Sequence, residues 1–280
     1  MRSFPLLLPL VLLAAPSAPR DGGDLVRQMH ARYAGTWYHI LTFTQTTSFP
    51  GEPAQTWYEA GTIPGKLRID IAPLDSMTTI LFIGDSTIVF KGGVRANARR
   101  DRNLLMTLGF DVYAQPPETT TAQLAGAGID LGKLREDRWN GAKVWVVGAD
   151  RDDTTTSQFW IEQDRLLFVR LIEVKPAKQP DAPANVLDIT FENYQRLGRA
   201  WVAPKVVIKL NGKEVQREEY RDVRADRPLP PDLYDTETYH KADWIQAHGP
   251  RGRDGAGVGD LSDSGGGDHP TSRHVSGESP

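Results

Sequence analysis

The stretch FIGDSTIVF, Phe82 to Phe90, decides how this chain is read. Gly84-Asp85-Ser86 at its centre has two readings. A serine presented after an apolar strand can be a catalytic nucleophile, whereas Gly-Asp between two strands is a tight turn. A nucleophilic serine needs a histidine base held by an acid. The nearest set is Glu237-Thr-Tyr-His240, and no alternation of strands and helices carries it. Ser86 is followed by Thr-Ile-Val-Phe-Lys, a second strand pattern rather than a helix. Glycine and aspartate are standard turn residues. The triplet therefore reads as a β-turn, and no catalytic residue is assigned.

Outward from this hairpin the pattern stays β. About eleven runs have strand character with turn signals between them: 36–48, 54–63, 66–72, 78–83, 87–91, 143–149, 155–162, 166–175, 186–195, 201–210 and 214–222. Asn211-Gly212 is a type I′ hairpin signal, and Asn140-Gly141 stands at the same kind of junction. Several runs alternate. Leu67, Ile69 and Ile71 face one way, with Lys66, Arg68 and Asp70 facing the other; Leu187, Ile189 and Phe191 oppose Asp188, Thr190 and Glu192. One apolar and one wet face mark a large antiparallel sheet, and a sheet this wide curls strongly.

Two segments break the pattern. DLVRQMHARYAG, from Asp24, reads as a helix capped by Asp24, with Leu25, Met29 and Tyr33 in one stripe. The span 98–134 reads as non-β: ARRDR as a wet loop, then NLLMTLGFDVYA as a helix capped by Asn103 with Leu104, Leu105 and Leu108 inward, then a loop with helical turns. Helices laid across a curled sheet would cover its apolar face.

With 39% hydrophobic and 25% charged residues, the chain has a soluble globular composition. A net charge of −3 with mixed signs gives no basic face for nucleic acid. The first residues, MRSFPLLLPLVLLAAPSAPR, have a basic start, a short apolar run and small residues suited to cleavage near Ser17 or Ala18. Residues 1–18 are thus expected to be a secretory signal, since the run is shorter than the roughly 20 residues that span a bilayer. There is no cysteine, which suits export to a bacterial periplasm without disulfides or an acylated N-terminal Cys. The Gly/Ser/Asp-rich segment 249–280 has almost no large apolar residue and is expected to be disordered. No cofactor motif and no metal-ligand spacing is present.

The order of segments resembles the periplasmic lipoprotein carriers, the LolA/LolB-like sorting family, over Leu25 to about Tyr239. LTFTQTTSF at Leu41 resembles the family's first strand, and GTIPGKLRIDI its Pro-Gly-Lys strand. LFIGDSTIVF falls where the family has strand, Gly-Asp turn and strand. The Trp-Ile-Glu hairpin within residues 140–173 and the closing PPDLYD also match in order. The GDSL-type esterases, which share only the triplet, are the less favoured relatives. The resemblance implies a domain over 21–240: a half-open antiparallel barrel of about eleven strands with a helical lid over an apolar cavity.

It implies, further, a non-enzymatic role in outer-membrane biogenesis: shielding acyl chains of a lipid or lipoprotein in the periplasm, with envelope membrane proteins as partners for loading or delivery. A lipid- or lipoprotein-sensing module on the same fold is the alternative. Each CH₂ removed from water is worth about 0.8 kcal/mol, so one acyl chain carries on the order of 10 kcal/mol of aversion to water. The expected cavity lining is Leu41, Phe43, Leu67, Ile69, Ile71, Phe82, Leu104, Leu105, Leu108, Leu187, Ile189 and Phe191. One departure stands out. Family carriers tie the lid with an Arg just before the Pro of this strand, and here Ile63 precedes Pro64. Arg68, expected on the wet face, is a poor substitute.

Overall fold

The computed structural model describes residues 18–176 and 183–247. The expected signal, apart from Ala18, and the expected tail from Gly249 lie outside the described residues.

Six strands follow one another as a meander: β1 (Ile40–Ser48), β2 (Gln55–Thr62), β3 (Lys66–Ile71), β4 (Thr78–Ile83), β5 (Ser86–Lys91) and β6 (Val94–Arg100). A second run comprises β7 (Leu134–Trp139), β8 (Ala142–Val147), β9 (Gln158–Glu162), β10 (Leu167–Lys175) and β11 (Asn185–Glu192). A small separate hairpin, β12 (Gln195–Leu197) and β13 (Ala200–Val202), precedes β14 (Lys205–Leu210) and β15 (Lys213–Ala225). Thirteen of these strands form one antiparallel sheet, ordered β6-β5-β4-β3-β2-β1-β15-β14-β11-β10-β9-β8-β7. β15 pairs with β1 and joins two wings, while β6 and β7 are left at the free edges, so the sheet is open.

The fold class is the one expected, with local differences. Gly84-Asp85 is a turn between β4 and β5, and Gly84 has φ of +59°, a left-handed conformation that costs glycine little. Asn140-Gly141 and Asn211-Gly212 both have two positive φ values, as a type I′ turn requires. ARRDR is not a loop: residues 98–100 complete β6, which is exposed along its whole length and so lacks any apolar alternation. The run 201–210 is broken at Ala203-Pro204, where the small hairpin ends and the main sheet resumes.

Among the described residues, four α-helices accompany the sheet: α1 (Gly22–Tyr33), α2 (Leu104–Gly109), α3 (Pro117–Gly126) and α4 (Trp244–Ala247). Asp21, not Asp24, caps α1, accepting from the Asp24 backbone N–H. Asn103 caps α2 as expected. α1, α2 and α3 pack on the inner face of the second wing. Leu25, Met29, Leu108 and Leu124 meet Phe159, Ile161, Phe168 and Leu171 in one core. Tyr113 binds the helical layer to the sheet, its ring 3.9 Å from Trp37 and its hydroxyl accepting from the Phe168 N–H.

The first wing is covered on its other side. After β15 the chain returns across the outer face of β2–β5 and ends this course in α4. Leu233 and Trp244 pack on Ala60, and Tyr239 packs beside Leu81, Ile88 and Phe90. Arg68 and Asp70 are therefore not on a wet face. Both side chains are 2% exposed and joined as an ion pair. Arg68 also donates to the carbonyls of Leu233 and His240, and the Trp244 indole donates to Asp70 at 2.7 Å. One strand position apart by two puts both charges on the same face, where the returning segment completes their hydrogen bonds.

Candidate binding cavity

The inner face of the first wing is left partly empty. A cavity of about 270 Å³ lies between β1–β4, the inner side of β14 and β15, and α2. Leu41, Phe43, Leu67, Ile69, Ile80 and Phe82 supply its apolar strand side, and Ile63, Leu105, Met106, Phe110 and Phe191 close it. Strand alternation produces this directly: residues 67 and 69 of β3 and 80 and 82 of β4 point inward, while Arg68 and Leu81 point to the returning segment.

Seven of the twelve expected lining residues stand around this cavity: Leu41, Phe43, Leu67, Ile69, Phe82, Leu105 and Phe191. Five do not. Leu104, Leu108 and Ile189 are buried in the core under the helices, and Leu187 packs against that core. Ile71, at the end of β3, is outside the cavity lining. The expectation of a single α2 stripe is corrected for a simple reason. Leu104 and Leu108, one helical turn apart, face the packed core, while Leu105 and Met106 lie around the helix toward the cavity. α2 is thus a partition with two buried sides. Gly109 lets it approach the sheet: a Cβ there would come within 2.9 Å of the Phe191 ring.

Ile63, before Pro64, is buried against the cavity. A polar contact joins Asp111, just beyond α2, to the turn between β2 and β3: the Gly65 backbone N–H donates to the Asp111 carboxylate at 3.0 Å. Burial raises the Asp111 pKa to about 6, opposed by the Gly65 hydrogen bond.

The floor of the cavity carries polar groups that the alternation pattern does not announce: Gln45, Glu59, Gln216, Glu218 and Tyr220. Burial pushes the Glu59 carboxyl well above the ordinary range, and the Glu218 charge adds to this. Burial also raises Glu218, to about 7, although hydrogen bonds from Tyr220 and Gln216 oppose the shift. Their sequence signal was a charge at the inward phase of a strand: Glu59 between Trp57 and Gly61, and Glu218 between Gln216 and Tyr220.

A second, wider groove of about 1000 Å³ opens between β6, α3 and β10. It is lined by Arg100, Arg102, Glu118 and Lys175 and is open to solvent, so it lacks the enclosure of the apolar cavity. Ser86 begins β5 opposite Ile83, and His240 faces Asp232 and Asp235 at 3.1 and 3.3 Å. Among the described residues no group of three or more His, Cys, Asp or Glu is placed to hold a metal, and no helix is long and apolar enough to cross a membrane.

No protein-family model matches the sequence, and no curated protein matches it. Solved structures do match in fold. An outer membrane lipoprotein-sorting protein domain, so described, from Vibrio parahaemolyticus superposes with a TM-score of 0.50 at 13% identity, covering 76% of this chain and 96% of that one. A DUF1329 family protein from Desulfovibrio piger gives 0.49 at 13% identity, over 76% and 95% of the two chains. A LolA superfamily protein from Nitrosomonas europaea gives 0.46 at 14% identity, over 76% and 97%. The chain shares the fold of the Vibrio parahaemolyticus domain, a large open antiparallel sheet with helices on its inner face.

Proposed function

We propose that this protein is a non-enzymatic carrier of the lipoprotein-sorting type, exported to the periplasm, which shields an acyl chain of a lipid or lipoprotein inside the first wing. The observation that carries the reading is the unfilled apolar cavity between β1–β4 and α2, beside a second wing packed solid in the same sheet. Protein interiors are close-packed, and an apolar void left in one half of a sheet is expensive unless something occupies it. At about 270 Å³ the cavity is near the lower end of ligand pockets, ~300–1,000 Å³. That size suits one chain, not several.

The test sets the two sides of α2 against each other, using a fluorescent acyl-chain probe and denaturant unfolding on the same variants. Leu105→Gln should weaken probe uptake more than it lowers stability. Ile189→Gln, in the core, should chiefly unfold the protein. Probe binding untouched by Leu105→Gln, or absent in the parent protein, would sink the reading. Native mass spectrometry of protein taken from its own periplasm would then name the cargo.

A further inference from the structure

At the cavity floor, most polar side chains have partners of their own. Gln45 Nε2 donates to Thr47 at 2.8 Å and Trp57 Nε1 to Gln55 at 3.0 Å. Gln216 Nε2 and the Tyr220 hydroxyl both donate to Glu218, at 2.6 and 3.0 Å. Glu59 is different. It is 4% exposed, it lines the cavity, and among the described residues it has no hydrogen-bond or ion-pair partner. The cation at the rim does not serve it, because Lys66 holds its Nζ 5.6 Å from the centre of the Tyr234 ring. A buried carboxyl without a protein partner is costly, and a ligand that completes it is one physical reason for its being kept.

We propose that the cavity selects amphiphiles whose polar end is an ammonium group, received by Glu59 with Glu218 as the second carboxylate, while the alkyl chain lies along Leu67, Ile69 and Phe82. This rests on the acyl-chain reading above and adds to it a choice of headgroup. An ammonium brings a positive charge and three N–H donors to a floor that holds two carboxyls. A carboxylate or phosphate end would meet two carboxyls at the same place. The groups facing Glu59 are Glu218 and Tyr220 from β15, Gln45 from β1, Lys66 from β3 and Asn103 from the start of α2. With both carboxyls raised by burial, the empty cavity keeps a proton at neutral pH. Binding R–NH₃⁺ releases that proton to solvent and leaves the cavity's total charge unchanged. Affinity for the ammonium should therefore rise with pH, and affinity for a neutral chain should not.

The experiment is calorimetric titration of the full chain with three probes of equal chain length, each below its micelle concentration: dodecylammonium, dodecanol and dodecanoate. At pH 8 the ammonium should bind about ten- to hundredfold more tightly than the alcohol, the worth of a charge-assisted hydrogen bond. Lowering the pH to 6 should remove roughly tenfold of that advantage, and dodecanoate should bind most weakly. Glu59→Gln should bring ammonium and alcohol to equal affinity while alcohol binding persists; Glu218→Gln, a second and independent variant, should reduce the advantage and flatten its pH dependence. Equal binding of ammonium and alcohol to the parent protein, an advantage surviving in both variants, or a preference for dodecanoate would each overturn the proposal and leave the acyl-chain reading standing. Binding of none of the three would overturn the acyl-chain reading and this proposal with it.

Discussion

In the second wing, Phe159, Ile161, Phe168 and Leu171 meet three helices and form a continuous core, while the first wing presents Leu67, Ile69, Ile80 and Phe82 to a cavity. The strands are of the same kind on both sides, alternating and apolar inward. The difference is in what covers them. α1 and α3 lie over the second wing, while the far side of α2 and the residues just after it reach the first. The first wing is also packed on its outer face, where the returning segment buries Arg68, Asp70 and the Trp244 indole. A wing anchored from outside can leave its inside unfilled.

That contrast can be broken by mutation. The largest effect is expected at the outer anchor. Arg68→Ala leaves Asp70 buried without its counter-ion and should cost about 3–5 kcal/mol, read from the denaturant midpoint. A loss under about 1 kcal/mol would show that the returning segment does not hold the wing. Next comes the partition helix. Leu108→Ala, on the core side, should cost about 2–5 kcal/mol, whereas Leu105→Ala, on the cavity side, should cost distinctly less. Equal losses would make the two sides of α2 equivalent and remove the distinction between the wings.

The contact between the β2–β3 turn and the end of α2 sharpens the comparison through pH. Asp111 has a native pKa of about 6, above the ordinary 3.8. Between those values the native state holds the proton more tightly than the unfolded chain, so stability falls as pH rises through the window. Its size is about 3 kcal/mol from this group. Asp111→Asn keeps an oxygen to accept from Gly65 but cannot ionise. The variant should lose that slope between pH 4 and 7 and be the more stable protein at pH 7. Parallel stability curves for variant and parent would refute the role given to Asp111. The smallest effect is expected for Gly109→Ala, where the added methyl presses on Phe191: about 1–3 kcal/mol from overpacking, with reduced probe uptake as the cavity wall shifts.

Much of the frame was legible in the residues. The Asn-Gly pairs and the alternation of β3 and β11 required hairpins and a large antiparallel sheet. β7 was announced by Asn140-Gly141, which needs a strand on both sides, yet LREDRW alternates too weakly to mark it. β6 was invisible because its residues are exposed on both faces, leaving pairing with β5 as its only order. The misreading of Arg68 and Asp70 had a local signal against it. TILFI in β4 and TIVF in β5 are unbroken apolar runs, which need cover on both faces, so the outer side of this wing was already marked as dry.

The candidate site was legible only in its strand half. Position parity places Leu41, Phe43, Leu67, Ile69 and Phe82 inward whatever lies opposite, because successive side chains on a strand alternate by geometry. No such rule says whether an inward residue meets a helix or a void. That choice depends on where α1, α2 and α3 come to rest, which is set by contacts far apart in the chain, such as Tyr113 with Phe168 and Gly109 with Phe191. The sequence by itself determined the Asn-Gly hairpins, the phase of the clearly alternating strands and the capped helix after Asn103. Only the tertiary structure decided that Leu104 and Leu108 are core while Leu105 lines a cavity, and that Glu59 and Glu218 share its floor, since burial is a property of what packs against a residue and not of the residue.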